Sequence, residues 1–232
     1  MSRAPFPIPP ALGRRIDFTQ TLHERTTRDY AARAADPEKA VCAEIASKFG
    51  AEYWDGDRRY GYGGYRYDGR WRDVAERMAQ TYGLRAGDRI LDVGCGKGYL
   101  LYELSQAVPG TKVAGIDVSA YALENAKEEV RPHLRIGNAS TLPYDDASFD
   151  LVISLGTLHN LAIADVWSAL REIERVRAKD AYVMVESYRS EREKVNLLNW
   201  QLTCRSFFSV SDWEWIFGQA GYSGDYGFIF FP

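Results

Sequence analysis

A chain of 232 residues with 29 Lys and Arg against 32 Asp and Glu, net charge -3, lacks the cationic excess that broad phosphate neutralisation on nucleic acid requires. Its three cysteines, Cys42, Cys95 and Cys204, are too few and too scattered for a disulfide framework or a zinc site. No apolar run approaches a membrane span and Met1–Pro10 has no leader-like apolar segment, so the expectation is a cytoplasmic protein with one substantial core, no nucleic-acid partner and no membrane partner.

The tip, residues 1 to about 16, is rich in proline and arginine and reads as flexible. Phe18, Leu22 and Tyr30 predict a helix within Phe18–Ala35. Asp36-Pro37-Glu38 then opens a second, carried by Val41, Ile45 and Phe49 and stopped at Gly50. From Tyr53 to Trp71, seven aromatics, five glycines and four arginines occupy nineteen positions, which rules out a regular helix. The block reads as a lid whose rings cover a ligand and whose arginines grip an anion, with Tyr65, Arg66 and Arg70 as candidate contacts and Arg58 beside them. Pairing of those arginines with Asp55, Asp57 and Asp68 is the competing use.

From Val74 onward, strands and helices alternate. Val74, Ala75, Met78 and Tyr82 form a helix ending at Gly83; Ile90–Val93 is an apolar strand; Leu100, Leu101, Leu104 and Val108 recur at helical spacing. Lys112–Val118 is the second strand, ending near Asp117, with Ser119 capping the helix of Ala122, Leu123, Ala126 and Val130. Leu134–Ala139, Phe149–Leu155 and Ala181–Glu186 are further strands, with a helix through Val166, Leu170, Ile173 and Val176 before the last of these. Such alternation implies crossovers and a parallel sheet. In the tail, Val195–Phe208 is a mixed helix and Ser211 caps one carrying Trp213, Ile216 and Phe217. A hairpin at Gly224-Asp225 is expected to send Gly227–Phe231 back as an antiparallel last strand. The division is an N-terminal helical extension with its aromatic lid over 1–72, then an α/β unit over 73–232.

The chemistry concentrates at Ile90-Leu91-Asp92-Val93-Gly94-Cys95-Gly96-Lys97-Gly98-Tyr99. Strand, glycine turn and helix start bring backbone close to a ligand with no Cβ in the way, at a helix N-terminus whose N–H groups face it. A dinucleotide site uses G-x-G-x-x-G, but here the third glycine of that pattern is Tyr99 and the spacing is G-x-G-x-G. Asp92, two places before the first glycine, can accept from a ligand ammonium or from loop amides. In open α/β sheets ligands sit at the carboxyl ends of the strands, so strand-end residues act together. Asp117 can accept both hydroxyls of a ribose, and Asn138 can bond an adenine amino group. His159, just past the fourth strand, is the first candidate base; Glu186 and Tyr188, ending the fifth, are the next. No dense His/Asp/Glu set calls for a metal.

The stretch resembles the first motif of class I S-adenosylmethionine-dependent methyltransferases, and the resemblance extends over Leu84–Glu186, about half the chain. It implies a Rossmann-like, doubly wound α/β fold with a mainly parallel seven-stranded sheet. It also implies S-adenosyl-L-methionine as cofactor and S-adenosyl-L-homocysteine as product. Asp92 and the loop Gly94, Cys95, Gly96 and Gly98 would hold the methionine portion, Asp117 the ribose, and Asn138 and Ala139 the adenine, with Val118 and Leu155 also among the cofactor-binding residues. Asn138 departs from the more usual aspartate of the family, keeping an acceptor without the charge. After the fourth strand, Ser154-Leu155-Gly156-Thr157 lacks the motif of amino-directed DNA methyltransferases. The implied acceptor is a small molecule with an oxygen or nitrogen nucleophile, such as a sugar or natural-product intermediate; a homodimer is compatible with the sequence. Two rivals stay open: a cofactor-binding protein with a different transfer or no catalysis, and, behind it, a nicotinamide oxidoreductase.

Overall fold

Residues 11–20, 22 and 28–232 are described in the computed structural model. Of the tip expected to be flexible over residues 1 to about 16, the first ten residues lie outside the described residues, as does much of the helix expected between Phe18 and Ala35. Among the fully described elements, four helices precede the sheet: α1 (Tyr30–Ala34), α2 (Lys39–Ala46), α3 (Ala51–Asp55) and α4 (Arg72–Tyr82). Six strands follow: β1 (Arg89–Val93), β2 (Lys112–Asp117), β3 (Leu134–Ile136), β4 (Phe149–Leu155), β5 (Arg177–Glu186) and β6 (Asp225–Ile229). Between them run α5 (Tyr99–Ala107), α6 (Ala120–Glu124), α7 (Ile163–Val176), α8 (Glu191–Trp200) and α9 (Val210–Ala220).

The strand order is β3-β2-β1-β4-β5-β6. The order reverses at β1/β4, and a ligand crevice belongs there, at the carboxyl ends of the strands. Side chains alternate between two cores, as strand geometry requires. Leu91, Val152, Val183 and Val185 face one core with α7 and α9. Ile90, Leu151, Ile153, Tyr182 and Met184 face the other with α4 and α5, and Phe18 of the N-terminal segment is buried in that second core.

The doubly wound, parallel architecture agrees with the sequence reading, and two details of the sheet differ. Among the described residues it has six strands, and the last is parallel: Tyr182 pairs with Asp225 and Glu186 with Ile229 in one direction. The expected hairpin at Gly224 is absent because α9 is a full crossover that returns the chain to the start of the sheet. It is begun by a capping box of Ser209 and Asp212, so Ser209, and not Ser211, is its N-cap. The outer edge of β6 is covered by the N-terminal segment. Ile16 N–H donates to Tyr226 O (2.8 Å) and Tyr226 N–H to Arg14 O (3.0 Å), with a parallel bridge between Arg15 and Tyr226. Among the described residues no helix is long and apolar enough to cross a membrane.

Within the aromatic block, the expectation of no helix holds after Gly56, but Ala51–Asp55 forms the short α3, which carries Tyr53 and Trp54. α6 is also shorter than its periodicity implies, ending at Glu124, while Ser119 caps it as expected by accepting from Ala122 N–H.

Candidate active site

A cavity of about 580 Å³ opens over the carboxyl ends of β1, β4 and β5. Its floor contains Asp92, Gly94, Cys95 and Gly96; its side contains Leu155, Gly156, His159, Met184 and Glu186; its roof is the aromatic block and the end of α8.

The glycine turn fits its surroundings tightly. Gly94 (φ 85°) and Gly96 (φ 52°) are both left-handed. A Cβ on Gly94 would meet Thr157 Oγ1 at 2.0 Å, and one on Gly96 would meet the tip of the Trp54 ring at 2.8 Å. The N–H groups of Gly94 and Cys95 donate to Ile116 O, and that of Gly96 to Asp117 Oδ2. These three amides of the turn are thus held from within the fold. What the turn offers instead is Asp92. This carboxyl is 4% exposed, lines the cavity, and accepts no hydrogen bond among the described residues. Burial, helped by the nearby Asp117 charge, pushes it up to about 8. A buried carboxyl without a partner costs free energy until a donor arrives, and a ligand ammonium supplies both the donor and the opposite charge.

Asp117 is more committed. Oδ2 accepts from Gly96 N–H (2.8 Å) and Oδ1 from Ser119 N–H (2.8 Å), so it clamps the turn to the end of β2. Each oxygen keeps a further lone pair, enough for two ribose hydroxyls. It does not line the cavity, and neither do Val118, Asn138 and Ala139. Val118 is half exposed and Ala139 is buried in the core; exposed Asn138 turns its amide oxygen back to Ser140 N–H (3.0 Å). Trp54 is the reason for the split: its indole N–H bonds Ser119 Oγ (2.9 Å) and Phe49 O (3.1 Å) while its ring tip covers Gly96. Gly98 lies beneath the turn as the N-cap of α5.

The block is latched down by a residue that sequence reasoning left without a role. Lys97, 3% exposed, reaches both oxygens of Asp55 (2.8 and 2.7 Å) and Tyr65 O (2.9 Å). Tyr121 Oη also donates to Asp55 (2.8 Å), and the rings of Tyr65 and Tyr99 stack at 5.0 Å. Of the three lid candidates, Tyr65 and Arg70 line the cavity and Arg66 points into solvent. Arg70 is held by its neighbour Asp68 (2.7 Å), the use that competes with ligand binding.

His159 and Glu186 meet in the cavity, and Tyr188 does not join them; it lies beyond the strand end, bridged to Ser209. His159 Nδ1 accepts from Glu186 N–H at 3.2 Å, which places the proton of the neutral ring on Nε2, 3.4 Å from Glu186 Oε2. Burial lowers His159 to about 3 and raises Glu186 to about 8. Glu186 Oε1 accepts from Gln201, while Oε2 is buried with no hydrogen-bond partner among the described residues.

Three further arginines, Arg28, Arg33 and Arg58, also line this cavity. Of these the sequence singled out Arg58 alone, because the other two stand outside the aromatic block and carry no motif.

A glycine turn after β1, acids ending β1 and β2, and a crevice at the switch point define a domain of the S-adenosylmethionine-dependent methyltransferase class. A family model described as a methyltransferase domain matches residues 84–221, more than half of the chain, and the chain belongs to that family. It is 36% identical to the 27-O-demethylrifamycin SV methyltransferase of Amycolatopsis mediterranei over 110 residues, covering 44% of this chain and 39% of that protein. It is 40% identical to the demethylmenaquinone methyltransferase of Symbiobacterium thermophilum over 109 residues, covering 44% and 42%. The crystal structure of YcgJ from Bacillus subtilis superposes with a TM-score of 0.53 at 26% identity, covering 63% of this chain and 66% of that one. The chain thus spans about two fifths of the length of the first two relatives.

The residues present fit the family's cofactor, S-adenosylmethionine: a partnerless buried acid for its ammonium, a turn with no Cβ in the way, and a second acid with spare lone pairs for its ribose.

Proposed function

We propose that this chain transfers a methyl group from S-adenosylmethionine to an oxygen or nitrogen of a small molecule, with an N-terminal helical extension and aromatic lid over 1–72 and the cofactor-binding unit over 73–232. The observation that carries this is Asp92, buried without a partner in the cavity that also contains His159 and Glu186. The relatives named for rifamycin and menaquinone intermediates support the small-molecule class. Asp92 and the Gly94–Gly98 turn hold the methionine portion. Asp117 and Val118 take the ribose, and Asn138 and Ala139 the adenine, once Trp54 has moved off Gly96.

The cofactor supplies an electrophilic methyl on sulfur, so the protein's tasks are alignment, exclusion of water and removal of one proton. Glu186 is the better proton acceptor. Its raised pKa makes the ionised form a competent base near neutrality, and its Oε2 has no hydrogen-bond partner among the described residues of this cavity-lining side chain. His159 has its basic nitrogen engaged by a backbone N–H, and its Nε2 lies 3.4 Å from Glu186 Oε2 without a hydrogen bond between them. This reverses the order of candidates taken from the sequence, in which His159 came first. Tyr65, Tyr62 and Trp54 line the roof.

The test is incubation with S-adenosylmethionine and a panel of phenols, amines and sugars, read by mass spectrometry. A product heavier by one methyl, with S-adenosylhomocysteine formed in equal amount, is expected. Homocysteine product without acceptor gain, or cofactor binding with no turnover on any acceptor, would count against methyl transfer.

A further inference from the structure

The roof of the cavity contains a set of cations that methyl transfer alone does not require. Arg28, Arg33 and Arg58 surround one indole, with guanidinium carbons 6.0, 5.2 and 5.3 Å from the Trp200 ring centroid. Arg28 also lies 4.9 Å from the Phe231 ring. None of the three has a carboxylate within ion-pair distance among the described residues, whereas Arg59, Arg70 and Arg175 each face one.

Their hydrogen bonds are few. Arg33 donates to the carbonyls of Arg59 (2.6 Å) and Arg58 (3.4 Å), and Arg58 donates to Gly61 O. Arg28 makes no hydrogen bond among the described residues, and the Nε atoms of Arg28 and Arg33 are buried without a partner. Burial lowers Arg33 and Arg58, and the mutual repulsion of the cluster adds to it. Arginine remains charged throughout this range. Three positive charges converging on a half-apolar cavity are costly unless an anion joins them. Arg33 and Arg58 spend part of their N–H groups on those carbonyls and Arg28 spends none, and the remaining guanidinium N–H groups are of the kind that grip carboxylate or phosphate oxygens in pairs.

We propose that the methyl acceptor is an acidic small molecule whose carboxylate or phosphate seats against Arg28, Arg33 and Arg58, presenting its nucleophile to Glu186 below. This rests on the methyl-transfer reading and names its substrate class. Aromatic walls from Tyr62, Trp200 and Phe231 suit a ring-bearing acid. Cavities for drug-sized ligands run roughly 300–1,000 Å³. One of about 580 Å³ that also admits the methionine end of the donor leaves room for a small acceptor only.

The experiment is calorimetric titration of the protein, saturated with S-adenosylhomocysteine, with benzoate, 4-hydroxybenzoate, phenyl phosphate and their uncharged counterparts benzamide and phenol. Charged probes are expected to bind at least tenfold more tightly than neutral ones. Arg28→Gln and Arg58→Gln should each remove about tenfold of that preference, and Arg66→Gln, at an exposed site outside the cavity, none. Tighter binding of benzoate than of phenyl phosphate assigns a carboxylate acceptor, and the reverse a phosphate. Equal binding of charged and neutral probes, or no saturable binding of any acid at millimolar concentration, overturns the proposal. If S-adenosylhomocysteine binds while the acids do not, the acidic acceptor fails and the methyltransferase reading stands; if S-adenosylhomocysteine itself does not bind, that reading fails first.

Discussion

Lys97 Nζ lies 2.7 Å from Asp55 Oδ2, joining the middle of the glycine turn to the end of α3 through an ion pair whose lysine is almost wholly buried. The residue that follows Gly96 therefore holds down the aromatic block that covers Gly96.

Breaking this latch should free the lid. A fully buried pair that loses one member costs about 3–5 kcal/mol. The side chain of Asp55 is 30% exposed, so water can take over part of its solvation. Lys97→Met is therefore expected to cost about 1–2 kcal/mol of stability, to speed cleavage between Arg58 and Arg70 in limited proteolysis, and to raise the dissociation rate of S-adenosylhomocysteine about tenfold. An unchanged proteolysis pattern with unchanged release would show that the pair is not a latch.

Trp54 and Gly96 form a second test, because a Cβ at Gly96 meets the indole at 2.8 Å and the φ there is 52°. Gly96→Ala should destabilise the chain by about 1–3 kcal/mol through left-handed strain and the clash. In the Trp54→Ala background the clash is gone, and only the strain of about 1 kcal/mol remains. Thermal melts of the two single variants and the double variant measure the coupling; strictly additive losses would place the indole elsewhere in solution.

The pH dependence of folding follows from two acids. Asp92 and Glu186 are both held up at about 8 by burial. A carboxyl whose folded pKa is raised favours the folded state fully below its unfolded pKa of about 4, and that contribution is lost as pH rises through the folded value. The ligand-free protein is thus expected to lose thermal stability steadily between pH 4 and 8 on account of these groups. Asp92→Asn should flatten the slope by on the order of half, and a slope unchanged by the substitution would mean that Asp92 is solvated or paired in solution.

Catalysis supplies a fourth test. Glu186→Gln should lower kcat by about 10² to 10⁴, the span of general base catalysis, with KM for S-adenosylmethionine little changed. His159→Gln should cost less, about tenfold, because its Nδ1 accepts a backbone N–H and its Nε2 makes no hydrogen bond to the carboxylate 3.4 Å away. The wild-type kcat/KM should rise with pH to a plateau above about 8, as Glu186 ionises. A larger loss at His159 than at Glu186, or an acidic limb near 6.5, would return the base to the histidine.

Much of this was legible in the residues themselves. The turn from Asp92 to Gly98 announces a ligand site because acid, glycines and helix start are contiguous, and the alternation of apolar strands with helices announces the parallel sheet. The direction of β6 was not legible, since Phe228-Ile229-Phe230-Phe231 is equally apolar in either direction and the crossover depends on how α9 packs. The pairing of Lys97 with Asp55 and the meeting of Arg28, Arg33 and Arg58 around Trp200 were also hidden. They join residues 42 to 172 positions apart by side chains that carry no motif. Order at the site between His159 and Glu186 needed the hydrogen bond to Nδ1, which no spacing reveals.

The central claim is that Asp92 is the buried acid awaiting the ammonium of S-adenosylmethionine. Calorimetric titration of the wild type and of Asp92→Asn with S-adenosylmethionine, each beside a titration with a nicotinamide dinucleotide, tests it most directly. One molecule of S-adenosylmethionine bound per chain is predicted, at least thirtyfold more weakly by the variant, with no saturable binding of the dinucleotide. Equal affinity in the two proteins, or preference for the dinucleotide, would contradict the account.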